Sequence, residues 1–324
     1  MKNHQSLFFD LLLHKSGGKK NLVSTMTDQL ALSGDSSYRR ISGKIHITLN
    51  EGISLATHYG ISLDSLTHTY PDNKIIHKVQ DIYTTEDLED YFDSTIENLK
   101  KLKEDPNAEF IYAAKDIPLF YLMKFETIRK FKIYTWMNLM DTDYFLQKIS
   151  FEKFAIPEKI KQKARSLFRS YRDINATEIW STATLHTLLG QIAYFLQLEM
   201  LNTESVLKIC DEIILMLDFI HEKTTKKIKN TSNFKLQLYQ NDLLIMNNMV
   251  FIKFLDHKML FVPYTILSYY YTIDESICHP FEKSMNLQIK NSELLSGNQK
   301  AKKVFFNAMY KSVEALRKLT KKLD

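Results

Sequence analysis

The chain has 324 residues, of which 44% are hydrophobic, 12% aromatic and 25% charged, and its formal net charge is +5. This composition is that of a globular protein and excludes wholesale disorder, while the mild positive charge permits a nucleic-acid partner without requiring one. Only 8 glycines occur, and Gly17-Gly18-Lys19-Lys20 lacks the spacing of a phosphate-binding loop, which argues against dinucleotide-binding and P-loop enzymes.

The cysteine count and the hydropathy pattern favour a cytoplasmic protein. The two cysteines, Cys210 and Cys278, are too few for a disulfide framework or a zinc ribbon, so we expect a reducing compartment. No apolar run reaches the roughly 18 residues that a membrane span needs. The apolar stretch at residues 7–13 is short, is interrupted by Asp10 and lacks a small-residue cleavage site, so we predict neither a signal peptide nor a membrane association.

Residues 1–70 have the pattern of a small helical bundle. An initial helix is predicted near residues 5–13. Apolar residues at helical spacing follow it, and they are Leu22, Val23, Met26 and Leu30. Ser33 is a suitable N-cap for a short helix that stops at Gly43, because glycine readily adopts the left-handed conformation at a helix end.

Two further helices complete this pattern. Thr48 and Glu51 form a Thr-x-x-Glu capping box, which opens a helix that Gly60 closes. Ser62 then caps a last short helix. Short helices joined by tight turns predict a helix-turn-helix DNA-binding domain over residues 1–70.

The short helix after Ser33 is the candidate recognition helix, because one side of it is polar and basic. Tyr38 and Ile41 are expected to face inward. Arg39 and Arg40 are suited to bidentate contacts with guanine, although an ordinary solvated helix face is the competing interpretation. The residues that we expect at the DNA surface are Ser33, Asp35, Ser36, Ser37, Arg39, Arg40 and Lys44.

The charge of this domain is small for a DNA-binding protein. Residues 1–66 contain seven Lys or Arg and five Asp or Glu, a difference of +2. Lys19, Lys20 and Lys44 are placed to contact phosphates, but one copy should bind weakly and with a strong dependence on salt. We therefore predict a homodimer that binds double-stranded DNA.

A polar stretch with Pro71 predicts a linker over residues 71–84. Helices are predicted near residues 85–104, 118–140, 157–171, 177–200, 204–226 and 298–323. Strands are predicted at residues 109–113, 236–238, 243–246, 250–255 and 259–262, with turns at 247–248 and 256–258. Residues 85–324 are thus predicted to form an α-rich regulatory or assembly domain with a small antiparallel sheet.

Two short strings of this domain could carry chemistry. Cys278, His279 and Glu282 are close in sequence, but catalytic partners normally come from distant segments, so scattered structural residues are the better interpretation. Residues 112–118 could be a binding loop at a strand end, and the favoured alternative is a strand-to-helix junction capped by Asp116. No histidines have metal-site spacing, and we expect no metal, no cofactor and no catalytic residue.

Two helical regions carry further signals. Phe120, Phe125, Phe131 and Trp136 lie in one aromatic-rich region, which we expect to be largely buried in a core, at a subunit interface or around a small effector. The last helix, over residues 301–324, is basic and amphipathic. It could contact DNA, anionic lipid or a partner helix, but docking on its own domain is favoured.

Four strings carry a resemblance to a known family. They are Asp35-Ser-Ser-Tyr-Arg-Arg-Ile-Ser-Gly43, residues 49–66, Ile111-Tyr-Ala-Ala-Lys-Asp-Ile-Pro-Leu-Phe120 and Thr177-Glu-Ile-Trp180. The chain resembles the helix-turn-helix regulators of Bacteroidetes-type bacteria that are described as BetR-like or Xre-like. Two departures are Ala31, where such motifs most often have glycine, and Ser37, where an apolar residue is common. The resemblance implies a bacterial DNA-binding transcription regulator with a large effector or assembly region.

These observations predict a mostly α protein of the α+β class, with an N-terminal helix-turn-helix bundle and a large α-helical domain. The first functional hypothesis is a sequence-specific transcription regulator without catalytic activity, whose C-terminal domain serves dimerisation or the sensing of an unknown effector. The second is a scaffold that keeps the helix-turn-helix fold but binds protein. The third is an enzyme in the second domain with DNA binding as an accessory, which would need an enclosed pocket with convergent titratable groups.

Overall fold

The computed structural model describes residues 4–61, 63–66, 76–79, 81–140, 142–225, 236–243, 247–255 and 257–322. The chain divides into two units, Met1–Lys74 and Ile75–Asp324. Of the predicted linker at 71–84, residues 71–75 and 80 lie outside the described residues. The described part of it belongs to the second unit, since His77–Lys78 forms a strand of the sheet and Ile82 is buried in the core.

The first unit is a helical bundle around its own small core. Its helices are α1 (His4–Lys15), α2 (Lys19–Leu30), α3 (Gly34–Ile41), α4 (Leu49–Tyr59) and a 3₁₀ turn, Leu63–Leu66. The buried side chains of this core are Phe8, Phe9, Leu12, Leu22, Met26, Leu55, Ala56 and Leu66. The apolar stripe on α2 therefore packs inward, as its helical spacing predicts.

The ends of these helices form where the sequence predicts them. The Ser33 hydroxyl accepts a hydrogen bond from the Ser36 amide at 3.2 Å, and Thr48 and Glu51 form the reciprocal capping box. Gly43 and Gly60 adopt φ values of +76° and +59°, the left-handed region that glycine enters without steric cost. Local capping thus sets both the lengths and the turns of α3 and α4. Ser62, the predicted cap of the last turn, lies outside the described residues.

The second unit contains nine α-helices and eight strands within the residues that the structure describes. The helices are α5 (Thr85–Glu104), α6 (Leu119–Leu122), α7 (Glu126–Met140), α8 (Thr142–Leu146), α9 (Glu158–Arg172), α10 (His186–Gln197), α11 (Thr203–Thr225), α12 (Glu275–Lys290) and α13 (Gln299–Thr320). The strands are β1 (His77–Lys78), β2 (Glu109–Ala114), β3 (Ala176–Trp180), β4 (Leu236–Gln240), β5 (Met249–Phe254), β6 (His257–Pro263), β7 (Tyr269–Thr272) and β8 (Glu293–Leu294).

The strands form one sheet in the order β1-β7-β6-β5-β2-β3-β4-β8. The mostly α, α+β class is confirmed, but the sheet is mixed rather than antiparallel. Strands β2, β3 and β4 are parallel neighbours, because helices connect β2 to β3 and β3 to β4. The remaining pairs, including the consecutive strands β5, β6 and β7, are antiparallel.

Both faces of the central strands are covered. One face, with Tyr112 and Trp180, joins the large core made with the long helices. The opposite face, with Ile111 and Ile179, packs against Cys278 and Met285 of α12. The basic helix α13 docks on its own unit, where it contacts α11 and buries an apolar stripe. Phe120, Phe131 and Trp136 are buried as predicted, and Phe125 is partly buried against the same core.

Two helix predictions are wrong. Residues 177–200 were predicted as one helix, but 176–180 form the central strand β3, whose β-branched and aromatic residues pair on both sides with β2 and β4. Residues 118–140 form two helices, α6 and α7, separated at residues 123–125. The sequence did not predict α8, α12, β1, β7 or β8. The predicted strand at 243–246 lies mostly outside the described residues, and Leu243 is in a turn.

Candidate nucleic-acid interface

Helix α3 turns one of the predicted DNA-contacting residues, Ser37, away from solvent. Ser37 is fully buried, and its hydroxyl donates to the Ser33 carbonyl oxygen at 3.1 Å. Ser33 itself stays exposed, with its hydroxyl engaged as the N-cap. Ser37 therefore faces the core of the first unit, and this burial contradicts the prediction that it contacts DNA.

Arg40 also has a structural partner. Its Nε and Nη2 atoms donate to the two carboxylate oxygens of Glu51 at 3.1 and 2.8 Å, a bidentate pair that joins α3 to α4. The two side chains are only 12% and 17% exposed. The hydrogen bonds from Arg40 are the main reason why the pKa of Glu51 lies below its ordinary value.

The Arg40 guanidinium also forms a hydrogen bond with Ser36. Nη1 of Arg40 donates to the Ser36 hydroxyl at 2.6 Å, so that hydroxyl is engaged within the helix. Since Arg40 already uses both sides of its fork, it cannot make the bidentate guanine contact that the sequence predicted unless it releases Glu51. In this structure Arg40 and Ser36 hold α3 in place, and their contacts with DNA stay a prediction.

The exposed face of α3 is made of Asp35, Tyr38 and Arg39. Tyr38 was predicted to face inward, but 45% of it is exposed. With 3.6 residues per turn, Ser37 and Ile41 share the inward face, which leaves Tyr38 and Arg39 outside. Arg39 pairs with Asp35 at 3.0 Å, and the side chains are 57% and 76% exposed. Such an exposed pair is weak and is readily exchanged for another partner.

The start of α2 lies beside this exposed face. The Lys19 ammonium sits over the Tyr38 ring, 5.2 Å from its centre. No side chain caps the first turn of α2, because its N-cap residue is Gly18. Lys44, directly after α3, is exposed, and its amide donates to the Arg39 carbonyl oxygen at 2.9 Å. We call Lys19, Tyr38, Arg39 and Lys44 the α2–α3 surface.

The turn between α2 and α3 has a strained residue. Ala31 adopts φ 51° and ψ 36°, the left-handed conformation in which glycine is favoured. This is the position at which the resembling motifs most often have glycine. Ala31 thus adopts the backbone conformation that glycine would adopt more readily, at a cost in conformational energy.

Gln5 is a positioning residue that the sequence analysis missed. Its side-chain Nε2 donates to the carbonyl oxygens of Arg40 and Ile45 at 2.9 and 2.8 Å, and its Oε1 accepts from the Ile47 amide at 3.1 Å. One amide side chain on α1 thus holds both the end of α3 and the segment that follows it. The first turn of α1 also contains His4 and Ser6, so nothing in the sequence singles out Gln5 for this role.

The second unit does not bring together the residues of its two candidate sites, since Glu282 and Asp116 have different partners. Glu282 pairs with Lys253 and Lys258 at 2.7 and 3.2 Å, whereas Asp116 contacts Asn248. The Cys278 thiol is buried, and burial raises its pKa, which is the opposite of what an activated thiolate needs. The Asp116 side chain does not cap α6, since the N-cap there is Pro118.

Within the ranges that the structure describes, no three His, Cys, Asp or Glu side chains cluster as a metal site. Over the same residues, no helix combines the length and the apolar composition that crossing a bilayer would require. No family model, no curated protein and no solved structure matches this chain. The resemblance to BetR-like and Xre-like regulators therefore stays a prediction from the sequence strings.

Proposed function

We propose that the chain is a sequence-specific DNA-binding transcription regulator, which places α3 in the major groove and acts in the cytoplasm. The observation that carries this proposal is the position of Lys19 over Tyr38. It joins the basic, uncapped start of α2 to the exposed face of α3 in one surface. A helix-turn-helix protein uses such a surface to hold the backbone with the first helix while the second reaches the bases.

The residues of the α2–α3 surface have distinct roles in this proposal. Arg39 exchanges its exposed pair with Asp35 for a bidentate contact with guanine O6 and N7. Tyr38 offers an apolar ring edge for a thymine methyl group and a hydroxyl for a phosphate. Lys19 and the free amides at the start of α2 neutralise one phosphate, and Lys44 contacts another.

A second copy of the chain is part of the proposal. The first unit has a charge difference of only +2 over residues 1–66, so the phosphate contacts of one copy give limited affinity. Two copies related by a two-fold axis double those contacts and read a palindromic site. We assign dimerisation to the second unit, because the core of the first is complete within a single chain.

The test uses the full chain and a pool of random DNA duplexes, from which bound sites are selected and then titrated at several salt concentrations. We expect Arg39→Ala to lose about 1–3 kcal/mol on the selected site and to relax the preference at one base pair. Lys44→Ala should weaken all sequences alike and lower the salt slope by about one. Lys15→Ala is the matched control, because it removes one charge whose ammonium contacts the Gly60 carbonyl oxygen at the end of α4.

A different outcome would favour a protein-binding scaffold. Leu49 and Ile53 lie one turn apart on α4 and are 73% and 46% exposed, which gives the first unit a small apolar patch suited to a protein partner. DNA affinity that is absent, or that does not change with salt, would reject the regulator and leave the scaffold as the better proposal. Equal losses at every sequence for Arg39→Ala and Lys15→Ala would show that α3 does not read bases.

A further inference from the structure

The second unit contains a cavity at the carboxyl end of strand β2. Its volume is about 380 Å³, within the range of small-molecule sites. Strand β2 has a parallel neighbour, β3, on one side and an antiparallel neighbour, β5, on the other. The cavity is lined by residues that follow β2, such as Asp116 and Ile117, and by Asn247 and Asn248, which precede β5.

Lys132 of α7 brings a positive charge to the wall of this cavity. Its ammonium donates to the Gln191 side-chain oxygen at 2.8 Å and lies 5.8 Å from the centre of the Trp136 ring. No carboxylate among the described residues forms an ion pair with it. Removal from water lowers the pKa of Lys132 to about 8, and the charge of the Asp116 carboxylate opposes this decrease. A cation with two unused donors in such surroundings favours an anionic partner.

Asp116 brings a negative charge to the same cavity. Its Oδ2 accepts from the Asn248 side-chain amide at 3.0 Å, and its backbone amide donates to the Asn248 Oδ1 at 2.9 Å. Its other oxygen, Oδ1, is buried, and within the described part of the chain nothing donates to it. Leaving a buried carboxylate oxygen without a donor is costly, so this atom favours a ligand with an N–H group.

The remaining wall is largely apolar and aromatic. Tyr112 and Trp136 are buried side chains of the large core that also reach the cavity, and Leu188, Ile266 and Tyr269 line it from other elements. Flat and branched apolar surfaces of this kind bind the body of an organic ligand, while the few polar groups fix its orientation.

We propose that this cavity binds a free α-amino acid with a large apolar or aromatic side chain. The ligand carboxylate contacts Lys132, its ammonium group donates to Asp116 Oδ1, and its side chain packs against Trp136 and Tyr112. A zwitterion satisfies the charges of Lys132 and Asp116 at once, and Lys115, a second lysine of the wall, adds to the attraction for the ligand carboxylate. A simple anion leaves the Asp116 oxygen without a donor, and a simple amine leaves Lys132 without a counter-charge. The site is a ligand-binding function of the second unit and does not depend on DNA binding by the first.

The test measures binding of three matched probes to the full chain by titration calorimetry and by tryptophan fluorescence, since Trp136 lies in the cavity wall. The probes are L-phenylalanine, 3-phenylpropanoate, which lacks the ammonium group, and 2-phenylethylamine, which lacks the carboxylate. We expect L-phenylalanine to bind at least about tenfold more tightly than either analogue, because each loses one charge-assisted hydrogen bond. L-leucine and L-tryptophan should bind as well, and glycine should not.

Two variants assign the charges. Asp116→Asn should bind L-phenylalanine and 3-phenylpropanoate equally, because the contact with the ligand ammonium is lost. Lys132→Gln should bind L-phenylalanine and 2-phenylethylamine equally. Lys130→Gln is the matched control on the same helix, since the Lys130 ammonium contacts the Glu152 carbonyl oxygen instead of the cavity. The melting temperature without ligand shows that each variant is folded before its binding is compared.

Three results would overturn the proposal. The first is a lack of binding by any large apolar amino acid at about 10 mM, where even a weak millimolar site would be filled. The second is equal binding of all three probes to the unaltered chain, which would mean that only the apolar wall is recognised. The third is unchanged selectivity in both Asp116→Asn and Lys132→Gln, which would place the amino acid elsewhere.

Discussion

Glu178 offers a quantitative test of the core of the second unit. This carboxylate lies on strand β3 and is fully buried. It accepts hydrogen bonds from the hydroxyls of Tyr121 and Tyr171, each at 2.5 Å, and from Trp180 Nε1 at 2.7 Å. Burial raises its pKa from 4.5 to about 7, although the three donors oppose the rise. The folded chain therefore binds a proton at Glu178 more tightly than the unfolded chain does.

The sign of the pH effect follows from this difference. Stability from the protonated carboxyl is fully present below the unfolded pKa of 4.5 and is lost as the pH rises through the folded pKa of about 7. With these two values, the linkage relation gives a loss of roughly 2–3 kcal/mol in the free energy of unfolding between pH 5 and pH 8. Glu178→Gln removes this contribution, because the amide stays neutral and can still accept from Trp180 while it donates to a tyrosine hydroxyl.

The assay is urea unfolding of the full chain at pH 5, 6, 7 and 8, followed by tryptophan fluorescence. Both tryptophans, Trp136 and Trp180, belong to the second unit, so the signal reports on that unit alone. We expect the stability difference between the unaltered chain and Glu178→Gln to change by roughly 2–3 kcal/mol from pH 5 to pH 8. Glu204→Gln, at the exposed start of α11, gives the baseline for the loss of one carboxylate. A difference that stays constant within about 0.5 kcal/mol would refute the raised pKa.

Three further predictions concern the first unit, and hydrogen exchange of the full chain measures them. A double-mutant cycle of Arg40→Ala and Glu51→Ala should give a coupling of about 1–2 kcal/mol, because the pair is bidentate and mostly buried, and additive effects would contradict the pair. Ala31→Gly should stabilise this unit by about 0.5–1 kcal/mol by relieving the left-handed strain, and a loss of stability would contradict that conformation. Gln5→Ala should leave three backbone groups after α3 without a partner and destabilise by about 1–3 kcal/mol, with the fastest exchange at residues 42–47.

The local sequence predicted most of the first unit and several long helices of the second. The reason is that caps and amphipathic periods act over a few residues and need no distant partner. Ser33, the Thr48–Glu51 box and Gly43 each form the expected helix end, and α5 has the bounds that were predicted for it. The caps of α3 likewise predicted where this short helix begins and ends.

The assignments that failed depend on partners that are distant along the chain. Arg40 and Arg39 look equivalent in sequence, and only the position of Glu51, 11 residues later, decides that one is engaged and the other exposed. Residues 176–180 became a strand because β2 and β4 supply backbone partners on both sides, which outweighs the helical pattern of the residues that follow.

The cavity likewise combines a local feature with distant residues. The sequence predicted that Lys115 and Asp116 lie at the end of a strand. It could not predict that Asn248, 132 residues away, and Lys132 from a separate helix lie beside them. Composition and local pattern thus determined that this chain forms a capped helical bundle and a mostly α second unit. Packing decided which charged side chains are buried in pairs and which stay exposed, because the burial and pairing of a charge depend on every element around it.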